Sequence, residues 1–436
     1  MLHPLHELIE KRRAGSLAGI PSYCTANEIV LEAVLERTKE TGIPILIEAT
    51  ANQVNQYGGY TGMKPVDFMN FVHGIADKTG CPKELLILGG DHLGPLTWCN
   101  ESEESAMKKA EVLVSEYVKA GFTKIHLDTS MKLADDAVEE PLSTEVIARR
   151  GVQLYRACMK AYDIRKAEEP NALRPVFVVG SEVPIPGGAQ EVEEGISVTK
   201  PEDFANTVDT YRKVFAEYGL ESAWKDIVAV VVQPGVEFGD GQIFLYDSQK
   251  TSGLCQELKN YPEVVFEGHS TDYQSAECLR NMVKDGIAIL KVGPALTFGL
   301  REALFSLNMI ERALVSAAKQ SYLIEVIEEV MMEEPKNWEK HYHGNAQEKA
   351  FARKYSFSDR IRYYIGDPRI MEAINKMFEN LSEHEIPLNI LHQYMPMQYD
   401  KVRDGKLSAK PRELAKAGVL TFVADYEYAV RDKERM

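Results

Sequence analysis

The stretch LLILGGDHLGP, residues 85–95, contains the pattern that decides the fold. A short apolar run ends in two glycines, and Asp91 and His92 follow them directly. An unbroken apolar run of this length is typical of a strand that is covered on both faces, as in a parallel sheet. A carboxylate and an imidazole at its end are costly to bury alone. The end of this strand therefore either pairs the two groups with each other or uses them.

The same pattern occurs eight times along the chain, each time as a run rich in β-branched and aliphatic residues. The runs end at or beside Ser22, Glu48, Asp91, Asp128, Glu182, Gln233, Glu267 and Lys291. Helical patterns separate the runs; residues 102–121, for example, begin with Ser102 at the N-cap position and stop at Gly121. Alternating strands and helices form βαβ units, so the class is α/β.

Eight such units predict a closed (β/α)8 barrel, and an open doubly wound sheet is the alternative. No G-x-G-x-x-G follows the first run, which weakens the dinucleotide-binding form of that alternative. After about residue 300 the strand pattern stops, and residues 300–319, 322–334 and 367–384 have helical patterns. The polar and aromatic stretch 333–360 is interpreted as a loop. We expect a barrel over residues 1–300 and a helical extension over 301–436 that packs on it.

Composition excludes several classes of protein. A formal net charge of −16 argues against a nucleic acid or an anionic membrane as partner. The longest aliphatic run, Ile227 to Val232, is far too short to cross a bilayer, and the charged N-terminal residues do not resemble a signal peptide. Six scattered cysteines form no C-x-x-C pair. We therefore expect a cytoplasmic protein in a reducing compartment.

Barrel topology brings the polar strand ends together, because active sites of such barrels lie at the carboxyl ends of the strands. Side chains two residues apart share a face, so His126 and Asp128 point the same way, as do Glu267 and His269. Left unpaired at one rim, such groups would cost roughly several kcal/mol each.

A divalent cation bound by His92, Glu182 and His269 would remove this cost. Nitrogen and oxygen ligands suit zinc, manganese, nickel or cobalt and do not suit calcium. The sequence therefore predicts one divalent transition metal, with zinc first among these candidates.

At these residues the sequence resembles the GatZ/KbaZ family, whose members are named as subunits of tagatose-bisphosphate aldolase. The resembling stretches run nearly from end to end: IEATANQVNQYGGYTGM, GGDHLGP, IHLDTSM, GSEVPIPGG, VVQPGVEFG, HSTDYQ, LKVGPALTF and SDRIRYY. The resemblance implies a barrel related to the class II, metal-dependent aldolases.

Several residues of that wider family can be compared one by one. Class II aldolases carry an Asp-His pair at a strand end, where the His binds zinc and the Asp is an acid or base; Asp91 and His92 resemble it. Asp128 resembles their fourth-strand Asp. Glu182, followed by Gly187-Gly188, has the spacing of their metal-contacting Glu.

Strands six and seven resemble the family less closely. In EGHS, Glu267 takes the position of the family's His and His269 comes two residues later on the same face, so His269 is preferred as the ligand. At strand six the candidates are Gln233 and Glu237, with Gln233 preferred. Ala189-Gln190 stand where the aldolases have an acidic pair, which argues against conventional bisphosphate aldolase activity.

The resemblance implies two functions. The first is a metal-dependent ketohexose 4-epimerase that interconverts tagatose and fructose, as some relatives do. Asp91 or Asp128 would take the proton of the carbon-4 hydroxyl, and the carbon 3–carbon 4 bond would open and reclose with the opposite configuration. The second is a non-catalytic subunit that stabilises a separate catalytic aldolase chain. We favour the enzyme, because the polar rim is intact.

Further residues of the strand ends are predicted to bind the substrate, a ketohexose or its phosphate. These are Glu48, Thr50, Asn52, Gln53, Glu267, Ser270, Asp272 and Lys291. We also expect a homo-oligomer. Asp91 and His92 begin on opposite faces of their strand, so both reach the site only if the chain bends, which Gly89-Gly90 and Gly94-Pro95 would permit.

Overall fold

The computed structural model describes residues 2–183 and 196–431, and its centre is a closed barrel of eight parallel strands. The strands are β1 Ile20–Cys24, β2 Ile45–Thr50, β3 Leu86–Leu93, β4 Lys124–Leu127, β5 Val176–Val179, β6 Ile227–Val232, β7 Val265–Gly268 and β8 Ile287–Val292. Each strand pairs with its neighbours in the sequence, and β8 closes the ring on β1. The predicted (β/α)8 barrel is confirmed.

Helices surround the barrel. Those before β5 are α1 Pro4–Arg13, α2 Glu28–Thr41, α3 Pro65–Thr79, α4 Glu103–Ala120 and α5 Thr144–Glu168. Those from β5 to β8 are α6 Pro201–Glu217, α7 Ser248–Leu258 and α8 Ala276–Asp285. Those after β8 are α9 Pro294–Leu314, α10 Leu323–Glu333, α11 Ala346–Tyr355, α12 Pro368–Ser382, α13 Leu388–Tyr394, α14 Pro396–Arg403 and α15 Pro411–Val430. Within residues 2–183 and 196–431, none of the helices is both long and apolar enough to cross a bilayer.

The barrel interior is apolar below and polar above. Its lower part is filled by inward side chains of the strands, among them Ile20, Leu46, Ile87, Val176, Val265 and Ile289. Helix α1 closes this end, because Leu5, Leu8 and Ile9 pack into the same cluster. A larger apolar core lies between the strands and the surrounding helices. The fold thus leaves the upper, carboxyl end of the strands for polar residues.

The last helix is part of the ring around the barrel. Helix α15 packs against β1, α2 and α8, and it crosses α9 where Gly299 and Gly418 meet. The hydroxyl of Tyr426 on α15 donates to the carbonyl of Thr271, 2.8 Å away, in the loop after β7. The predicted boundary after residue 300 falls inside α9, and the division into two regions stays a prediction.

The interpretation of residues 333–360 as a loop is wrong for residues 346–355, which form α11. Asn345 caps this helix by accepting from the backbone N–H groups of Gln347 and Glu348, and the Glu348 carboxylate accepts from the N–H of Asn345. This reciprocal capping box can start a helix that has little apolar periodicity. The three helices predicted after residue 300 are confirmed as α9, α10 and α12.

Candidate metal centre

The end of β3 brings Asp91 and His92 into one cavity, although neighbouring residues of a regular strand face opposite sides. His92 has a φ of 48°, in the left-handed region that few residues other than glycine adopt. The pairing of β3 with β4 shifts register between Gly90 and Leu93. The bend therefore falls at His92, between the glycines that were expected to permit it.

Two glycines of this segment leave room for neighbouring groups to pack against the backbone of β3. A Cβ on Gly89 would lie 2.8 Å from Cγ of Glu48, inside the barrel. A Cβ on Gly94 would lie 1.7 Å from the carbonyl oxygen of Asp128, on the neighbouring strand end. Both positions exclude a side chain because a neighbour already fills the space, and the ends of β3 and β4 can therefore lie in contact.

Three imidazoles meet above the barrel interior. The ring centroids of His92, His126 and His269 lie 5.1, 4.9 and 5.2 Å apart in pairs. Together with Asp91, each offers a ligand atom, and these four atoms all lie within 4.8 Å of one another. All four residues are buried. Their chemistry, three nitrogens and one oxygen, is that of a zinc or other transition-metal site.

Two buried carboxylates orient two of the imidazoles. Nδ1 of His92 lies 2.7 Å from Oδ2 of Asp128, and Nε2 of His269 lies 2.9 Å from Oε1 of Glu267. A ring nitrogen that donates to a carboxylate leaves the other nitrogen as a metal ligand, the arrangement common in metal sites. The third ring, His126, has a buried Nε2 with no hydrogen-bond partner among the described residues. These residues therefore fit a divalent metal.

The structure does not bring two of the predicted ligands into this cluster. Glu182 lies three residues beyond the end of β5, where strand alternation no longer sets its direction; its side chain is exposed and accepts from Oγ1 of Thr199 at 2.7 Å. Oε1 of Gln233 accepts from the backbone N–H groups of Gly235 and Val236. The compared positions Gly187-Gly188 and Ala189-Gln190 lie outside the described residues.

Sequence reasoning placed His126 on the correct face of β4 but gave it no role. Its Nδ1 lies 3.0 Å from Oδ1 of Asp91 and 3.2 Å from the backbone nitrogen of His92. With the proton on Nδ1, directed at Asp91, Nε2 is left to bind a metal. The signal was present in the alternation Lys124, His126, Asp128, in which three polar side chains point into the barrel. Three ionisable residues on the inner face of one strand predict a site more strongly than any one of them.

A buried ionic network supports the cluster from below. Nζ of Lys124 lies 2.9 Å from Glu48 and 2.8 Å from Glu267, and all three side chains are fully buried. Nζ of Lys291 lies 3.0 Å from Glu48 and also contacts Asp91. Glu48 and Glu267, predicted to bind the sugar, lie beneath the cavity and do not line it. The carboxylates of Glu48 and Glu267 balance the ammonium groups of Lys124 and Lys291. Without these partners, burying the two ammonium groups would be very costly.

The pKa shifts follow from burial and these contacts. Burial favours the neutral form of Asp91, but His92 and Lys291 outweigh it and hold the pKa of this carboxyl well below its usual range. For Asp128, the hydrogen bond from His92 likewise overcomes burial and lowers the pKa. Burial, helped by the charge of Lys291, lowers the pKa of His269 to about 3. Burial therefore favours the neutral imidazole at His269, the form that binds a metal.

The two candidate bases have different surroundings. Asp91 lines the cavity, where a substrate can reach it. Asp128 does not: its Oδ1 accepts from the backbone N–H and the hydroxyl of Ser130, and its Oδ2 pairs with His92. Asp128 is thus placed to orient His92, and Asp91 is placed to exchange a proton with a bound molecule.

The cavity above the cluster has a volume of about 800 Å³. Six of the eight predicted sugar contacts line it: Thr50, Asn52, Gln53, Ser270, Asp272 and Lys291. Asp272 accepts from the backbone N–H groups of Gly293 and Ala295 at the start of α9, and burial raises its pKa to about 6. Much of the remaining wall comes from residues after β8, so the C-terminal helices shape the site.

The chain is similar to known proteins over nearly its whole length. The family described as D-tagatose-1,6-bisphosphate aldolase subunit GatZ/KbaZ-like matches residues 5–431. A crystal structure from Sinorhizobium meliloti 1021, named a probable tagatose 6 phosphate kinase, is 43% identical; it aligns over 95% of this chain and 100% of that one with a TM-score of 0.86. A fructose-bisphosphate aldolase from Campylobacter jejuni aligns over 87% of this chain and 94% of that one at 16% identity, with a TM-score of 0.45.

Proposed function

The chain belongs to the D-tagatose-1,6-bisphosphate aldolase subunit GatZ/KbaZ-like family, and from this premise we propose that it is itself a metal-dependent enzyme. The reaction is the 4-epimerisation of a ketohexose, which interconverts tagatose and fructose by opening and reclosing the carbon 3–carbon 4 bond. The observation that carries the proposal is the cluster of His92, His126 and His269 beside Asp91, at the floor of a cavity.

The imidazoles of His92, His126 and His269 would hold the metal, and Asp91 offers an oxygen within 4.8 Å of their ligand atoms. The carboxylates of Asp128 and Glu267 keep two of these rings in place. A divalent transition metal there, with zinc first and manganese, nickel or cobalt as alternatives, supplies Lewis-acid polarisation of the ketose carbonyl.

Asp91 is the base of the proposed reaction. Its carboxylate takes the proton of the carbon-4 hydroxyl, carbon 4 becomes an aldehyde carbon, and the electron pair of the broken bond passes to carbon 3. The aldehyde fragment turns over, the bond forms again on its other face, and Asp91 returns the proton to the new hydroxyl. Lys291 contacts Asp91 and fixes the position of this carboxylate. Asn52, Ser270 and Asp272, which line the cavity, hold the sugar hydroxyls.

The family description itself supports a second function, a partner that stabilises a separate catalytic aldolase chain. Ala189-Gln190, at the positions of an acidic pair in class II aldolases, favour this alternative over conventional aldolase activity. In that case the chain alone would leave ketoses unchanged and would raise the activity or the stability of the other subunit.

The experiment that separates the two functions uses the purified chain alone. It is incubated with D-tagatose and zinc or manganese, and D-fructose is measured by carbon-13 NMR. We expect fructose to form, to stop forming after chelation and to form again when metal is restored. Absence of conversion with every metal, together with stabilisation of an added aldolase subunit, would establish the partner function instead.

A further inference from the structure

Arg362 is distinctive among the cations of the cavity wall. Among the residues that the structure describes, four cationic side chains line the cavity: Lys291, Lys336, Arg362 and Arg412. Three of them have a carboxylate nearby, at 3.0 Å for Lys291, 3.6 Å for Lys336 and 2.7 Å for Arg412. Within the described part of the chain, Arg362 has only neutral hydrogen-bond acceptors. No carboxylate of the described residues bonds it directly, although the charges of Asp359 and Asp272 interact with it.

The hydrogen bonds of Arg362 leave one edge of its guanidinium open. Nη1 donates to the backbone carbonyls of Ser358 and Asp359, and Nη2 donates to the hydroxyl of Tyr363 at 3.1 Å. A guanidinium has five N–H groups, so Nε–H and the second hydrogen of Nη2 are left without a protein acceptor among the described residues. These two groups form the fork that binds two oxygens of a phosphate or carboxylate.

The surroundings of Arg362 favour negative charge. Arg360 lies on the same turn, its Nε is buried without a hydrogen-bond partner among the described residues, and both guanidinium groups lie against the ring of Tyr363. Burial would raise the pKa of Tyr363, but the charges of Arg362 and Arg360 outweigh it and lower that pKa. The two guanidinium groups thus favour negative charge at this place.

The position at which such barrels often hold phosphate is already taken. Phosphate commonly binds near the start of a helix that follows the last strands. Here the start of α9 is occupied by the carboxylate of Asp272, which accepts from the N–H groups of Gly293 and Ala295. An anionic group of a substrate in this cavity is therefore directed away from α9, toward Arg362.

We propose that Arg362, backed by Arg360 and Tyr363, forms a subsite for a terminal oxyanion of the ketose substrate. The proposal deepens the proposed function, since it assumes that the sugar binds in the same cavity, and it makes the substrate class an anionic ketose. The cavity volume of about 800 Å³ lies within the range of about 300–1,000 Å³ that is usual for small-molecule sites. The shared chemistry is the oxyanion; its source is a phosphate or a carboxylate.

A binding experiment tests the subsite without turnover. Inorganic phosphate is titrated calorimetrically into the parent chain and into Arg362→Gln, Arg362→Lys and Lys336→Gln. We expect Arg362→Gln to weaken phosphate binding roughly ten-fold or more, because a charge-assisted fork is lost. Arg362→Lys keeps the positive charge, so we expect it to weaken phosphate binding less than Arg362→Gln does. Lys336→Gln is the control: it removes one positive charge from the same wall at a side chain that is 74% exposed.

Turnover then identifies the source of the oxyanion. We compare kcat/KM for tagatose, tagatose 6-phosphate and the analogue with a carboxylate at carbon 6. Arg362→Gln should lower kcat/KM for one anionic substrate roughly ten-fold or more relative to kcat/KM for free tagatose. The more affected substrate identifies the group.

Two results would overturn the subsite: no phosphate binding to the parent chain, or equal losses in Arg362→Gln and Lys336→Gln. Phosphate binding that depends on Arg362 without turnover of any ketose would contradict the proposed function and leave the subsite established.

Discussion

At the scale of single residues, two buried aspartates divide the work of the site. Asp91 lines the cavity and contacts His126 and Lys291. Asp128, in contrast, does not line the cavity and bonds Ser130 and His92. We expect Asp91→Asn to retain the metal and to lose roughly 10²–10⁴ in kcat, because an amide has the shape of the carboxylate but cannot take a proton. Elemental analysis for bound metal, combined with the steady-state rate, checks this.

We expect Asp128→Asn to lower activity by weakening metal binding. Without the charged acceptor, His92 loses the group that fixes its ring, and metal affinity should fall roughly 10–100-fold while turnover recovers at high metal concentration. The reverse pattern, with Asp91→Asn active and Asp128→Asn inactive at saturating metal, would exchange the roles of the two residues.

The choice of ligands is tested by two matched substitutions. His126→Gln removes the imidazole whose Nε2 has no hydrogen-bond partner within the described residues, and we expect metal content to fall well below one per chain after dialysis. Glu182→Gln changes an exposed side chain that bonds Thr199, and we expect metal content to be unchanged. If Glu182→Gln loses the metal and His126→Gln keeps it, the ligand set predicted from the sequence is the correct one.

His3 makes stability depend on pH. Burial, together with the charge of His6, lowers its pKa to about 3 from an ordinary 6.5. Below pH 6.5 the His3 imidazole is protonated in the unfolded chain but stays neutral in the folded chain. The free energy of unfolding therefore falls as the pH falls. This contribution amounts to at most about 1.4 kcal/mol per pH unit between these two values. The loss per pH unit is greatest when the pH is well below 6.5 and above 3.

Denaturant unfolding at pH 6 and pH 5 measures this loss. His3→Gln should reduce the difference between the two pH values by up to about 1 kcal/mol. The same substitution at exposed His384 removes an imidazole elsewhere and should leave the difference as it is in the parent. An equal difference in His3→Gln and the parent would mean that His3 is protonated in the folded chain.

At the scale of elements, the end of β3 fixes the geometry of the site. Gly94→Ala would place a Cβ 1.7 Å from the carbonyl oxygen of Asp128, so the ends of β3 and β4 must move apart. We expect this overpacking to cost about 1–3 kcal/mol or more, and metal affinity to fall as well because Asp128 shifts. Thermal unfolding and a metal titration measure the two effects.

Gly74→Ala is the control for that substitution. Gly74 lies on the exposed side of α3, and a Cβ there would have no neighbour within 4 Å. We expect it to leave metal affinity unchanged and to raise stability by up to about 1 kcal/mol, the difference in helix propensity. If Gly94→Ala is as well tolerated as Gly74→Ala, the two strand ends are not in close contact.

Features of the strands that depend on the local order of apolar and polar residues could be predicted from the sequence. The end of β3 was recognisable because an apolar run stops at Asp91, and the inner face of β4 followed from alternation. The bend at His92 was not predictable, since nothing local makes a histidine adopt a φ of 48°. The direction of the Glu182 side chain was not predictable for a related reason: alternation stops with the strand, and β5 ends at Val179.

At the scale of the whole molecule, the barrel follows from repetition and the position of α15 does not. Eight similar runs predict one ring, because each strand–helix unit packs beside the next. Helix α15 joins that ring between α2 and α8 through contacts between distant parts of the sequence, such as the hydrogen bond from Tyr426 to Thr271. The same long-range packing brings Arg362 to the cavity, and the sequence alone gave no sign of it.

The central claim is that three imidazoles from β3, β4 and the end of β7 bind one transition metal. Anomalous scattering from a crystal grown with zinc, with data collected on both sides of the zinc absorption edge, tests it most directly. We predict one strong peak in the barrel mouth, about 2.0–2.1 Å from a ring nitrogen of His92, His126 and His269. A mouth without a peak at saturating zinc, or a peak that His126 does not contact, would contradict the claim.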